Sequence, residues 1–120
     1  MTESLKVLEI GGGVSAAYAA RLLGDHGADV VKVEPPAGDP TRARGPFPNN
    51  EADEERSGLF LALNLNKRSV CLDLAVAAAR EKLQALIDWA DIVVHSLRRA
   101  EAMQLGLDRD SISADRPGLV

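Results

Sequence analysis

The sequence predicts an α/β fold: a Rossmann-like, three-layer domain on a mainly parallel sheet, incomplete within these residues. Three observations carry this. Short Val- and Leu-rich runs alternate with helix-length amphipathic segments, the pattern of βα units. The first run ends directly in Gly11-Gly-Gly13 and a helix-forming stretch, as a parallel strand turns into its crossover helix. The second, Val30-Val31-Lys32-Val33, is apolar enough for a strand covered on both faces.

Residues 5–10 are a short β-like run, and the three glycines after them allow a tight turn. Residues 14–23 are rich in alanine and leucine and lack glycine and proline, so they read as a helix that packs closely, closed by Gly24 or Gly27. Residues 28–34 are the second strand. From 35 to 57 the character changes, with prolines at 35, 36, 40, 46 and 48, glycines at 38 and 45, and a charged cluster at 51–56. This is a long Pro/Gly-rich loop, and loops of such length in a compact domain are usually functional or mobile. It reads as a cover over a site or an arm toward another subunit, with a disordered insertion as the alternative.

Structure resumes at 58–63, and 69–74 is a third strand ending in Asp73. Residues 76–90 form a helix whose apolar positions 76, 79, 83, 86, 87 and 90 share one face, with Arg80, Glu81 and Gln84 outside. Residues 91–94 are a further short parallel strand, 100–105 a short helix closed by Gly106, and 108–114 another helical turn. Leu119-Val120 has the look of the first residues of another strand.

The 120 residues make one domain, 1–120, and 46% hydrophobic against 27% charged residues is an ordinary globular balance. The net charge of -4 is spread along the chain, which argues against a nucleic-acid or membrane-surface binder. Residues 1–8 are too short and polar for a signal peptide, and no apolar run approaches the roughly 18–20 residues that span a bilayer, so the expected location is the cytoplasm. The single cysteine, Cys71, cannot close an internal disulfide and reads as a small core residue without a catalytic role.

Gly11, Gly13 and Ala16 fit G-x-G-x-x-G/A between a strand and a helix, and Glu34 ends the next strand, where dinucleotide-binding folds place a ribose-binding acid. Glycines let the backbone approach a pyrophosphate, and the helix N-terminus offers amide donors. A tight turn without ligand fits the same residues, and Glu34 runs into Pro35-Pro36 instead of another helix. Asn64, Asn66, Lys67 and Arg68 form a basic corner that is either a phosphate site or a solvated turn. His26 and His95 have no partners at metal-ligand spacing, which argues against zinc and leaves no metal ligands to name. His95 falls at the C-terminal end of a parallel strand, the edge where α/β sheets bind ligands. Ser15, Ser57, Ser69 and Ser96 show no triad-like order, residues 51–55 read as a solvated acidic run, and Trp89 as a packing anchor.

Two ordered segments, Gly27-Ala-Asp-Val-Val-Lys-Val-Glu-Pro-Pro-Ala-Gly-Asp-Pro-Thr-Arg42 and Leu63-Asn-Leu-Asn-Lys-Arg-Ser-Val-Cys-Leu-Asp-Leu74, stand behind the glycine-rich turn. With that turn they resemble the N-terminal part of the family III CoA-transferases (CaiB/BaiF type), the group that also holds carnitine and bile-acid CoA-transferases and α-methylacyl-CoA racemases. The resemblance runs from about Leu5 to Val120. It implies enzymes considerably longer than this chain, in which an aspartate carboxylate attacks an acyl-CoA thioester and CoA moves, through anhydride and enzyme-thioester intermediates, to an acceptor acid. The racemase branch moves the α-proton of a 2-methylacyl-CoA. The implied fold is a Rossmann-like domain completed by a returning C-terminal segment, in an interlocked homodimer. The implied catalytic aspartate lies beyond Val120, so no residue here is assigned to catalysis and no tightly bound cofactor is expected; CoA or acyl-CoA is substrate.

Carried over by position, the implied CoA-contacting segments are Val14 and Ser15 in the first turn, Leu72 and Asp73 at a strand end, and Ser96, Leu97 and Arg98. Leu72, Asp73 and Arg98 match common family residues. The chain departs elsewhere: His95-Ser96-Leu97-Arg98-Arg99-Ala100 stands where many members read E-N-F-R-P-G, and Gln104 where an arginine is expected. That exchange removes a charge-assisted contact of about 1.5–3 kcal/mol. The first turn keeps Tyr18 and Ala19 but lacks the usual Gly-Pro. A divergent subfamily and one half of a tandem protein both fit these departures.

The resulting reading is an N-terminal fragment of a CoA-transferase contributing part of a CoA-binding edge. The alternatives are a racemase-type enzyme of the same family, a stand-alone NAD-like nucleotide-binding module using Gly11, Gly13 and Glu34, and a non-catalytic assembly domain. Unpaired sheet edges in such a fragment further predict self-association or marginal folding.

Overall fold

The computed structural model describes residues 3–120. Four parallel strands, β1 (Lys6–Ile10), β2 (Asp29–Glu34), β3 (Lys67–Cys71) and β4 (Ile92–His95), lie in the order β3-β2-β1-β4. The chain builds outward from β1 in one direction through β2 to β3, then returns to its other side with β4. The topological switch therefore falls between β1 and β4, and the ends of all four strands point to one edge.

Strand alternation divides the core. Leu8, Ile10, Val31 and Val33 face one layer, where α3 (Ala77–Trp89) brings Ala79, Leu83 and Ile87, α4 (Arg99–Gln104) brings Ala102, and α5 (Arg109–Asp115) adds the partly buried Ile112. Val7 and Val30 face the opposite layer with Ala20 of α1 (Ser15–Asp25). Small side chains at Ala16, Ala17 and Ala20 let that helix lie close to the sheet, and all three are buried. Gly27, at φ +97, turns the chain from α1 into β2.

The 35–57 loop is more ordered than its composition suggests. It contains 3-10 turns at Pro40–Ala43 and Pro48–Asn50 and leads into α2 (Gly58–Leu63). Its Asp39, Thr41 and Ser57 are buried. Side-chain bonds to backbone explain the order: Asp39 caps the first 3-10 turn through Thr41 N at 2.8 Å, and the Ser57 hydroxyl caps α2 by accepting from Phe60 N at 3.1 Å. The acidic run is exposed.

Two expectations need correction around the third strand. It begins at Lys67, two residues early, and stops at Cys71, so Leu72 and Asp73 lie beyond it. Cys71 is exposed and not a core residue, because β3 is an edge strand with only partial cover. At the other edge, Val120 accepts from Val93 N at 2.9 Å and donates to Asp91 O at 3.2 Å, the alternation of a parallel bridge alongside β4. Leu119, read as the start of a strand, instead closes a turn through its N–H to Arg116 O at 3.1 Å, and only Val120 lies against β4.

Candidate functional site

Open α/β sheets bind ligands at the edge formed by the C-terminal strand ends, and in this sheet the centre of that edge is the turn from β1 into α1. Gly11 and Gly13 have φ of +98 and +97, a region that side chains rarely adopt. Gly11 also lacks room: a Cβ there would lie 2.5 Å from Ser96 Oγ. Val14 precedes α1 with no side-chain cap, so the first-turn amides of that helix are left without a capping acceptor. Val14 and Ser15 are both exposed.

Ser96 joins this turn directly. Its hydroxyl donates to Gly12 O at 2.7 Å and its amide to Ile10 O at 3.2 Å. The structure thus brings two predicted contact segments, Val14-Ser15 and Ser96–Arg98, to adjoining positions. Arg98 is exposed, and its backbone N–H donates to the Glu101 carboxylate at 3.0 Å at the start of α4. Leu97 is half-buried against the α3 layer, and its N–H donates to His95 Nδ1 at 3.2 Å.

Leu72 and Asp73 stand apart, two strands away beyond β3. Leu72 is buried in the core and donates its N–H to Glu34 O at 2.9 Å, so its side chain serves packing. Asp73 is exposed and accepts from Ala75 N at 3.1 Å. Two clefts of about 460 and 450 Å³ flank His95 and share Leu107 and Arg109. Of the predicted contact residues only Leu97 lines either, so these hollows lie beside the predicted edge and not along it.

Glu34 is not free for a ribose. Its carboxylate accepts from Arg42 Nε at 2.9 Å and Nη2 at 3.0 Å, from Asp39 N at 3.0 Å and from Ser69 Oγ at 2.8 Å. Burial alone pushes this carboxyl up, but the Arg42 guanidinium, the Asp39 amide and Ser69 outweigh it and hold the pKa at about 2. Arg42 also lies over the Phe60 ring, 3.7 Å from its centroid. Glu34 therefore closes the loop onto β2.

The basic corner is likewise occupied internally. Lys67 Nζ reaches inward to Glu9 at 2.7 Å, Ala17 O at 2.8 Å and Asn64 Oδ1 at 2.9 Å, while Arg68 pairs with Asp29 at 2.7 Å. Asn66 takes φ +61 and donates to Asp25 at 3.0 Å. A phosphate would have to displace these partners.

Sequence reading missed a buried ionic chain, Asp39–Lys32–Glu9–Lys67. Lys32 Nζ lies 2.8 Å from Asp39 and 2.6 Å from Glu9, with these side chains 1% exposed. Burial drags Lys32 down, yet Asp39 and Glu9 outweigh it and its pKa stands above the usual lysine value. For Asp39 burial acts upward, but Lys32 and Thr41 carry it below the usual carboxylate range. Burial holds Lys67 below its ordinary value, and neighbouring Lys32 adds to the effect. The available signal was a charge inside each apolar strand, Glu9 and Lys32. Among the described residues, no three His, Cys, Asp or Glu side chains gather to hold a metal, and no helix is long and apolar enough to cross a membrane.

A model of CoA-transferase family III matches residues 3–120. The chain is 34% identical over 118 residues to a succinyl-CoA:mesaconate CoA-transferase of Haloarcula hispanica, covering 98% of this chain and 30% of that protein. It is 39% identical over 103 residues to the BbsE subunit of the succinyl-CoA:(R)-benzylsuccinate CoA-transferase of Thauera aromatica, covering 86% and 25%. Among solved structures, a CAIB/BAIF family protein from Brucella suis superposes with a TM-score of 0.85 at 34% identity, over 98% of this chain and 31% of that one. The chain thus spans about 30% of the length of the Haloarcula relative.

Proposed function

The chain belongs to CoA-transferase family III, and from that premise we propose that it is the N-terminal part of an enzyme moving CoA between carboxylic acids, contributing part of the CoA-binding edge. The observation that carries the reading is the 2.7 Å bond from Ser96 Oγ to Gly12 O, which sets the first turn beside the residues leaving β4. An uncapped helix N-terminus and the Arg98 side chain lie along that edge, and both suit an anionic, phosphate-bearing ligand. In this reading Val14 and Ser15 meet CoA through the turn, Ser96 through its backbone, and Arg98 through its charge. Leu97, Leu72 and Asp73 supply backbone and shape.

The nucleophilic aspartate belongs to the remainder of the parent protein, and the acyl-CoA and acceptor acid are its substrates. The same reading makes that protein a cytoplasmic homodimer with no tightly bound cofactor. The NAD-binding alternative loses its ribose acid, because both Glu34 oxygens are taken.

Calorimetric titration of the purified chain with CoA, and with NAD under the same conditions, tests the proposal. Saturable heat with CoA and none with NAD is expected. A response to NAD alone would overturn the reading, and silence with both ligands would deny these residues a working CoA edge.

A further inference from the structure

Lys32 sits in the middle of the sheet, sealed from solvent, where its ammonium can touch no ligand. Its partner Asp39 divides its two oxygens. Oδ1 holds the 3-10 turn through Thr41 N at 2.8 Å and Thr41 Oγ1 at 2.6 Å, and Oδ2 is 2.8 Å from Lys32 Nζ. The residue after Asp39 is Pro40, whose ring fills the space a side chain at Gly12 would need: a Cβ there would stand 2.6 Å from Pro40 Cδ and 3.8 Å from Asp39 Oδ2. Ser96 grips the Gly12 carbonyl from another direction. The Gly12 peptide is held between Pro40 and Ser96, and only the Ser96 side of that clamp belongs to the proposed contact segments.

We propose that Lys32 is a positioning residue for the ligand edge: through Asp39 it seats Pro40 against Gly12 and so sets the direction in which the α1 N-terminus faces. The inference deepens the CoA reading and rests on it for its ligand. An apolar pair of similar volume can stabilise an interior as well as an ion pair does, but a directional ion pair also fixes where Asp39, and with it Pro40, must lie. The far end of the same chain supports this role, because Lys67 donates to Ala17 O at 2.8 Å and ties α1 to the same carboxylate, Glu9. Both the turn before α1 and its first helical turns are thus referenced to one buried chain of charges.

The test combines amide NMR spectra with calorimetric titration of CoA for wild type, Lys32→Met, Gly12→Ala and the double variant Gly12→Ala/Pro40→Ala. Lys32→Met is expected to move the amide signals of Gly12, Gly13 and Ser15 while those of Leu8 and Val33 hold, and to weaken CoA binding by about tenfold or more. Gly12→Ala should do the same with the ion pair intact, and removing the Pro40 ring in that background should restore both signals and affinity. A purely stabilising pair would leave the turn signals and the CoA affinity of folded Lys32→Met unchanged. If Lys32→Met fails to fold, the isosteric Asp39→Asn takes its place. Unmoved turn signals, or a moved turn with undiminished affinity, would overturn the inference. If wild type binds no CoA the ligand reading fails by itself, and the turn signals of Lys32→Met then decide: moved at Gly12, Gly13 and Ser15 supports the coupling, unmoved ends it.

Discussion

Lys32 Nζ lies 2.6 Å from Glu9 Oε1, and the two residues face each other across neighbouring central strands. Glu9 gives its second oxygen to Lys67 at 2.7 Å. A lone charge at this depth would be prohibitive, so the four ions can exist here only as a closed set with neutral sum.

Glu9→Gln is therefore expected to destabilise the fold more than any surface charge change, because it leaves buried Lys67 without an anion and Lys32 with Asp39 alone. A loss of about 3–5 kcal/mol is expected. The check is a urea titration, in which the midpoint falls while the slope stays that of wild type. A change below about 1 kcal/mol would mean that water reaches the cluster.

Glu34 makes stability depend on acid. Its folded pKa of about 2 lies below the ordinary 4.5, so the folded state favours the ionised form. That contribution is complete above the ordinary value and is lost as pH falls through about 4.5 toward 2. Stability measured from pH 6 to pH 2 should decline by about 3 kcal/mol on account of this carboxyl. Glu34→Gln should be less stable at neutral pH and show a shallower decline, and equal slopes for both proteins would contradict the account.

The order of elements was legible because each strand and helix has its own hydrophobic period and the glycines punctuate them. The edge strand was read two residues late because Lys67 and Arg68 look like turn residues. In the fold Lys67 turns its ammonium inward to Glu9 while its backbone already pairs with Val30. The buried ions were invisible for a related reason: Glu9 and Lys32 are adjacent only once the β1–β2 register is known, and Asp39 joins them from a loop that its prolines made look loose. Ser96 and Leu72 were both named as contacts by position alone; in the fold Ser96 bonds to the first turn, which only the β1–β4 pairing brings about, whereas the Leu72 side chain is enclosed by the α3 layer.

Ser57 tests whether the loop is part of the fold or a loose cover. Its hydroxyl is fully buried, caps α2 and donates to Thr41 O at 2.9 Å. Ser57→Ala is expected to cost about 1–3 kcal/mol, since it leaves the Phe60 N–H without its capping acceptor and removes the buried bond to Thr41 O. Limited proteolysis supplies the local readout. The variant should be cut within 44–56 faster than wild type, and unchanged cutting rates would show that the loop is held by the Arg42 and Asp39 contacts without the Ser57 hydroxyl.

Gly11 and Gly13 offer a comparison in which backbone conformation is nearly constant and packing is not. Both have φ close to +97, so an alanine at either should cost about 1–3 kcal/mol in backbone strain. At Gly13 the new methyl would meet nothing within 4 Å, but at Gly11 it would lie 2.5 Å from Ser96 Oγ, which is held by its bond to Gly12 O. Gly11→Ala should therefore lower the melting temperature clearly more than Gly13→Ala. Adding Ser96→Ala to Gly11→Ala removes the nearest clashing atom and should recover part of the difference. It should do nothing comparable for Gly13→Ala, because no atom of Ser96 stands near that position. Equal melting temperatures for the two single variants would show that Ser96 can leave the turn freely, and the attachment of β4 to the first turn would then carry no weight in shaping the edge.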